Sequence, residues 1–243
     1  MRVLCLDIGN TSVTYCEVNQ TPFSINRLTN SSDVLGFLKK YNYEDIDQVV
    51  VSSVVPSLSA DIVNIYMRKG INIFEVSYKN CGLDLKVESP SSVGNDRICN
   101  VYAANKIYGN GNIIVDFGTA TTYDISDNKG AFIGGAIAPG IDISADNLIS
   151  RTSQLRETLY KFPETSIGKD TTSNIQSGVM YGGLHAVTGM INQIKYESGI
   201  TSPNIILTGG FGKLISSKLE IEHIYNESLT IYGMLHIFKE RNL

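Results

Sequence analysis

A short pattern occurs twice in this chain, and it constrains the fold more than any other feature. Val3-Leu4-Cys5-Leu6-Asp7-Ile8-Gly9-Asn10-Thr11-Ser12 returns as Ile113-Ile114-Val115-Asp116-Phe117-Gly118-Thr119-Ala120-Thr121-Thr122. Each copy is an apolar strand, then Asp-x-Gly, then small hydroxyl or amide residues. Each runs into a second strand-like stretch, at 13–18 and 122–125. That is a β-hairpin whose turn carries Asp, Gly and Thr. The two aspartates stand close to half the chain length apart, so a duplicated domain is the economical reading, with the hairpins facing each other across a cleft.

The remaining pattern fits two α/β halves, 1–110 and 111–243. In the first, 48–52 and 70–76 read as strands, a helix enters near Pro56-Ser57, and 96–108 has helical spacing before Gly109-Asn110-Gly111. In the second, 175–196 reads as a long helix interrupted by Gly178, Gly182, Gly183 and Gly189. Each such glycine costs about 1 kcal/mol relative to alanine, which calls for close packing against a neighbour. A strand at 204–210 ends in a glycine pair, and 228–240 reads as a final helix.

Charge and apolar runs exclude several classes of function. The net charge is -4, with Lys and Arg scattered, which leaves no basic face for nucleic acid. No apolar run approaches the length of a membrane span. The first residues are apolar only briefly before Asp7, which is not the pattern of a secretory signal. Cys5, Cys16, Cys81 and Cys99 lack Cys-x-x-Cys spacing and read as reduced, buried thiols of a cytoplasmic protein. His185, His223 and His236 form no ligand pair and read as structural or surface residues.

Asp7-Ile8-Gly9-Asn10-Thr11 puts a carboxylate at a strand end beside a turn whose backbone N–H groups and hydroxyls can meet a phosphate. The carboxylate itself cannot hold an anion, so it must act through a cation. No Gly-x-x-x-x-Gly-Lys-Ser/Thr loop occurs, which excludes a P-loop enzyme. Pro90-Ser91-Ser92-Val93-Gly94-Asn95-Asp96-Arg97 opens a helix. There Arg97 can clamp a carboxylate and Asp96 can accept a hydroxyl proton, or Asp96 can simply cap the helix. Thr171, in Ile167-Gly168-Lys169-Asp170-Thr171-Thr172, is a cap or a substrate contact, and spacing alone favours the cap. Gly134-Gly135-Ala136-Ile137-Ala138-Pro139-Gly140 and Thr208-Gly209-Gly210-Phe211-Gly212 read as glycine-rich turns after strands, with or without a nucleotide beside them.

Taken in order, the segments at 7–11, 94–97, 116–122, 134–140, 167–171 and 208–212 resemble the type III pantothenate kinase family, nearly end to end. The resemblance implies an α/β actin-like ATPase fold, with two RNase H-like domains around a nucleotide cleft. It implies a cytoplasmic homodimer whose substrate site includes the partner subunit. The implied activity is ATP-dependent phosphorylation of pantothenate, the first step of coenzyme A synthesis, with magnesium on ATP and potassium or ammonium as a monovalent cation. Carried over by motif, Asp7, Ile8, Gly9, Asn10, Thr11, Ser12, Val13 and Thr14 form the first phosphate loop and Thr119 contacts ATP. Asp116 ligates the monovalent cation. Gly94, Asn95, Asp96 and Arg97 hold pantothenate, with Asp96 as proton acceptor, and Thr171 contacts the substrate. Val87 stands where the family often has a substrate-contacting Tyr. Two other readings remain: a kinase of the same fold for another small metabolite, and a non-catalytic regulatory protein of that fold. Intact Asp7, Asp96 and Asp116 argue against the second.

Overall fold

The computed structural model describes residues 1–18, 23–28, 34, 36–38, 41, 46–150 and 160–241. They divide into two compact units: Met1–Asn110 with Gly130–Gly134 and Ser228–Leu243, and Gly111–Lys129 with Gly135–Glu227. After residue 110 the chain therefore returns twice to the first unit.

The first unit is built on a five-stranded sheet, ordered β3-β2-β1-β4-β5. Its strands are β1 (Val3–Ile8), β2 (Val13–Val18), β3 (Asn26–Leu28), β4 (Gln48–Ser53) and β5 (Asn72–Glu75). β1 runs antiparallel to β2 and parallel to β4. A central strand covered on both faces must be apolar without interruption, which is why 3–6 and 49–51 show no alternation. Successive residues still point to opposite faces. Val3, Cys5 and Val50 meet Ile98 and Cys99 of α2 (Asn95–Tyr108) and Met234 and Leu235 of α6 (Leu229–Arg241). Leu4, Leu6, Val49 and Val51 meet Ile62 and Tyr66 of α1 (Pro56–Arg68).

The last helix belongs here because it crosses α2 at very close range. A Cβ on Gly233 would collide with the Cys99 carbonyl. Thr230 donates to Asn100 Oδ1 at 2.8 Å, and Glu240 takes a hydrogen bond from Tyr102 at 2.6 Å and pairs with Lys106 at 2.7 Å. The 130–134 segment is held by Phe132, whose N–H donates to Asp84 O at 2.8 Å while its carbonyl accepts from Lys86 at 2.9 Å.

The second unit repeats the topology. Its sheet, β10-β9-β6-β7-β8, is formed by β6 (Asn112–Phe117), β7 (Ala120–Ser126), β8 (Phe132–Pro139), β9 (Asn204–Gly209) and β10 (Ile224–Tyr225). Matching β1 to β6, β2 to β7 and β4 to β9 reproduces each orientation, and Asp7 and Asp116 both fall one residue before their strand ends. The helices are α3 (Ile141–Ser150), α4 (Thr171–Ser198) and α5 (Gly212–Ser216). The core joins Ile113, Val115 and Leu207 to Met180, Leu184 and Ile191 of α4.

Two expectations change. The 134–140 segment is mostly strand rather than turn, since β8 runs to Pro139 with alternating exposure that offsets its glycines. The glycines of α4 are not closely packed among the described residues: there a Cβ would meet nothing within 4 Å at Gly178, Gly182 or Gly189, and at Gly183 only Ile141, at 3.7 Å.

Candidate active site

The first loop follows directly from the β1–β2 register. Ile8 pairs with Val13, which leaves Gly9, Asn10, Thr11 and Ser12 to make the turn. Gly9 N–H closes it by donating to Ser12 O at 3.0 Å. The loop borders a cavity of about 440 Å³ that also touches Val55, Ser57, Leu58 and Asp61. Ile8 and Val13 are core residues at 0% and 1% exposure, so their side chains face the apolar interior and only their backbone can reach a ligand. Asp7 lies between Thr14 on β2 and Ser52 on β4, and its Oδ1 accepts from Ser52 Oγ at 2.9 Å.

The same unit supplies the second carboxylate. α2 begins at Asn95 with Gly94 as N-cap, and no side chain caps it, so Asp96 is not the cap. A Cβ on Gly94 would lie 2.5 Å from Asp96 Oδ1; the bare glycine gives that carboxylate room. Asp96 Oδ1 accepts from Arg97 N–H at 2.8 Å. Burial raises the Asp96 pKa, and the Arg97 N–H and charge only partly oppose it. The Arg97 guanidinium lies over the Phe132 ring, 5.5 Å from its centre, which presents the fork in one plane. Asn95 is used structurally as well: its amide donates to Ser53 O at 3.0 Å and ties the start of α2 to the tip of β4. Asp7 and Asp96 come to one place, for both act on the buried Cys99 thiol, whose pKa burial above all pushes well up.

In the second unit Phe117 pairs with Thr121, so the loop is one residue shorter than the first. Gly118 N–H donates to Ala120 O at 3.1 Å, and Gly140 N–H to Thr119 O at 3.2 Å. Gly140 must be bare because a Cβ would strike the Thr119 carbonyl and come within 2.8 Å of that of Gly118. Gly209 has φ +85 and its missing Cβ would collide with Asp116 Oδ1, so glycine is required there on both counts. Asp116 thus lies among glycines and close-packed main chain. Among the described residues no cluster of three or more His, Cys, Asp or Glu is placed to hold a metal ion.

Thr171 opens α4, but the cap is Asp170. Its carboxylate accepts from Ser173 N–H at 3.0 Å while Ser173 Oγ takes the Asp170 N–H at 3.2 Å, a reciprocal capping box. The capping expectation for Thr171 therefore fails, because its neighbour already does the work. Thr171 lines a mostly apolar cavity of about 700 Å³ with Phe117, Tyr123, Ile141, Gly178 and Gly182. The four cysteines are free and buried, and His223 bonds Ser216 and the Ile221 carbonyl. Sequence reasoning picked out the glycine segments at 134–140 and 208–212 but not Ser52; the hydroxyl following Val49, Val50 and Val51 was the available sign.

The chain matches the type III pantothenate kinase family over residues 3–193. A type III pantothenate kinase of Agathobacter rectalis is 34% identical, over 99% of this chain and 98% of that protein. Among solved structures, a Baf family protein of Campylobacter jejuni superposes with a TM-score of 0.67 at 23% identity, over 99% of this chain and 100% of that one. The ethanolamine utilization protein EutJ of Carboxydothermus hydrogenoformans follows at 0.56 and 11%, over 98% and 90%. The two mixed five-stranded sheets with their helices are those of the actin-like ATPase fold. On the family match and the near full-length identity, the chain belongs to the type III pantothenate kinase family.

Proposed function

We propose that this chain transfers the γ-phosphoryl group of ATP to the primary hydroxyl of pantothenate, the first step of coenzyme A synthesis. The observation that carries this reading, beyond family membership, is the half-buried Asp96 carboxylate, its pKa raised by desolvation, beside Arg97 at the start of α2, in the unit that also holds the Asp7 loop. Phosphoryl transfer asks mainly for positioning and charge stabilisation. The hydroxyl oxygen attacks the γ-phosphorus, the bond to the bridging oxygen breaks, and ADP leaves. Asp96 takes the hydroxyl proton late in this step, and its raised pKa makes it a stronger acceptor than an exposed carboxylate.

Arg97 holds the substrate carboxylate or amide end, with Gly94 and Thr171 as further contacts. Asn95 contributes through its backbone, given its amide bond to Ser53. Residues 7–14 and Thr119 receive ATP. Divalent magnesium on ATP neutralises the polyphosphate, with Asp7 as its protein carboxylate, and potassium or ammonium binds at Asp116. The active species is a homodimer in the cytoplasm. Among the described residues the glycine face of α4 beside Thr171 is uncovered, which supports a second subunit near the substrate site. No described helix is long and apolar enough to cross a membrane.

The test is ATP consumption by the purified protein with and without pantothenate, each with potassium or sodium. Pantothenate-dependent turnover that rises in potassium is expected. ATP consumption indifferent to pantothenate would overturn the assignment.

A further inference from the structure

Ser52 is a hydroxyl where an apolar side chain would be expected. It follows Val49, Val50 and Val51 on β4 and is wholly buried, at 0% exposure. Such a group is costly to bury unless its hydrogen bond is made. That bond goes to Asp7 Oδ1 at 2.9 Å, from the position directly opposite in the β1–β4 register. A serine has one proton to give, and here it goes to the carboxylate.

The duplication supplies a second instance. In the other unit Asp116 stands opposite Thr208 on β9, which follows Ile205, Ile206 and Leu207 and is buried at 1% exposure. A buried hydroxyl at one register position, twice, beside the only carboxylate of each central strand points to a task set by that carboxylate. The residue after Ser52 extends the task, because the Ser53 carbonyl receives the Asn95 amide that anchors the start of α2. The tip of β4 is therefore bonded both to Asp7 on β1 and to the start of α2, which carries Asp96.

We propose that Ser52 is a positioning residue that helps hold the Asp7 carboxylate in the orientation needed to receive the divalent cation of the nucleotide. This rests on the reading of the chain as an ATP-dependent kinase in which Asp7 acts through a cation. One carboxylate oxygen accepts from Ser52, which restrains the rotation of the group and with it the direction of the other oxygen. Loss of the hydroxyl relaxes that restraint.

The experiment measures Mn²⁺ affinity by electron paramagnetic resonance, in the presence of saturating β,γ-imido ATP, and affinity for the same analogue in EDTA. Ser52→Ala should weaken Mn²⁺ binding about tenfold, the usual worth of a hydrogen bond to a charged group, and leave binding in EDTA unchanged. Ser52→Thr keeps the hydroxyl and should restore most of the Mn²⁺ affinity. Ser52→Val, which matches threonine in shape but lacks the hydroxyl, should bind Mn²⁺ as weakly as Ser52→Ala, and it decides the matter if Ser52→Ala does not fold. Unchanged Mn²⁺ affinity in the variants without the hydroxyl, with Asp7→Asn weakened, overturns the positioning role alone. Unchanged affinity in Asp7→Asn as well overturns the role of Asp7. Loss of analogue binding in EDTA alongside the metal would make Ser52 a packing residue.

Discussion

Asp96 combines two opposing demands in one side chain. In the proposed role of proton acceptor it is aided by burial, which raises its pKa; as part of the fold it is a liability, because the same burial penalises its charge. Below the ordinary carboxylate pKa the group is protonated in both the folded and unfolded states, and no penalty exists. As pH rises through the raised folded value, the folded protein must ionise a buried group and loses stability. Asp96→Asn removes the charge and keeps an oxygen to accept the Arg97 N–H. The variant should therefore match the wild-type melting temperature near pH 4 and exceed it at neutral pH, while kcat falls about 10²–10⁴-fold. Thermal unfolding at the two pH values and steady-state kinetics check both halves. A loss of stability at neutral pH, with kcat retained, would make Asp96 a structural residue.

At the scale of elements, the start of α4 separates the cap, Asp170, from Thr171, the proposed substrate contact. Asp170 does the capping, and the Ser173 N–H and hydroxyl that bond it lower its pKa. Its contribution is present above the usual carboxylate pKa and is lost as pH falls through the depressed folded value. Asp170→Ala should fray the first turn and displace Thr171, raising KM for pantothenate about fivefold with kcat little changed, while Asp170→Asn retains the cap and stays near wild type. Hydrogen exchange at the 171–174 amides, read beside KM, checks this. Faster exchange with an unchanged KM would separate Thr171 from the substrate.

On the scale of the whole molecule, the duplication places equivalent aspartates at equivalent strand ends, yet their surroundings differ. Asp7 has a four-residue loop, and Asp116 has a shorter loop pressed by Gly140, with Gly209 bare against its carboxylate. A carboxylate near polyphosphate repels it by several kcal/mol in a partly dry site unless a cation intervenes. Activity should be high in potassium or ammonium and about tenfold lower in sodium at constant ionic strength, and Asp116→Asn should flatten that difference. Equal wild-type rates in the three salts would mean that Asp116 holds no monovalent cation.

What the sequence determined by itself is local. Each hairpin is coded by a contiguous apolar run, an Asp-x-Gly turn and a returning strand, so both could be read without any partner. The motif order carried the family for the same reason, since each motif is a short stretch of adjacent residues. Tertiary structure decided what depends on neighbours remote in the chain. Glycines in 134–140 read as turn, but pairing with β7 makes the segment a strand. The glycines of α4 read as a close-packing face, and only the placement of surrounding elements leaves them open. The final helix reads as part of the second half, and its fit against Cys99 brings it to the first unit. The Ser52–Asp7 bond spans 45 residues, and only Asp7 of the two stands in a recognisable motif. Such contacts arise from register and packing geometry, and a residue's immediate neighbours carry no record of them.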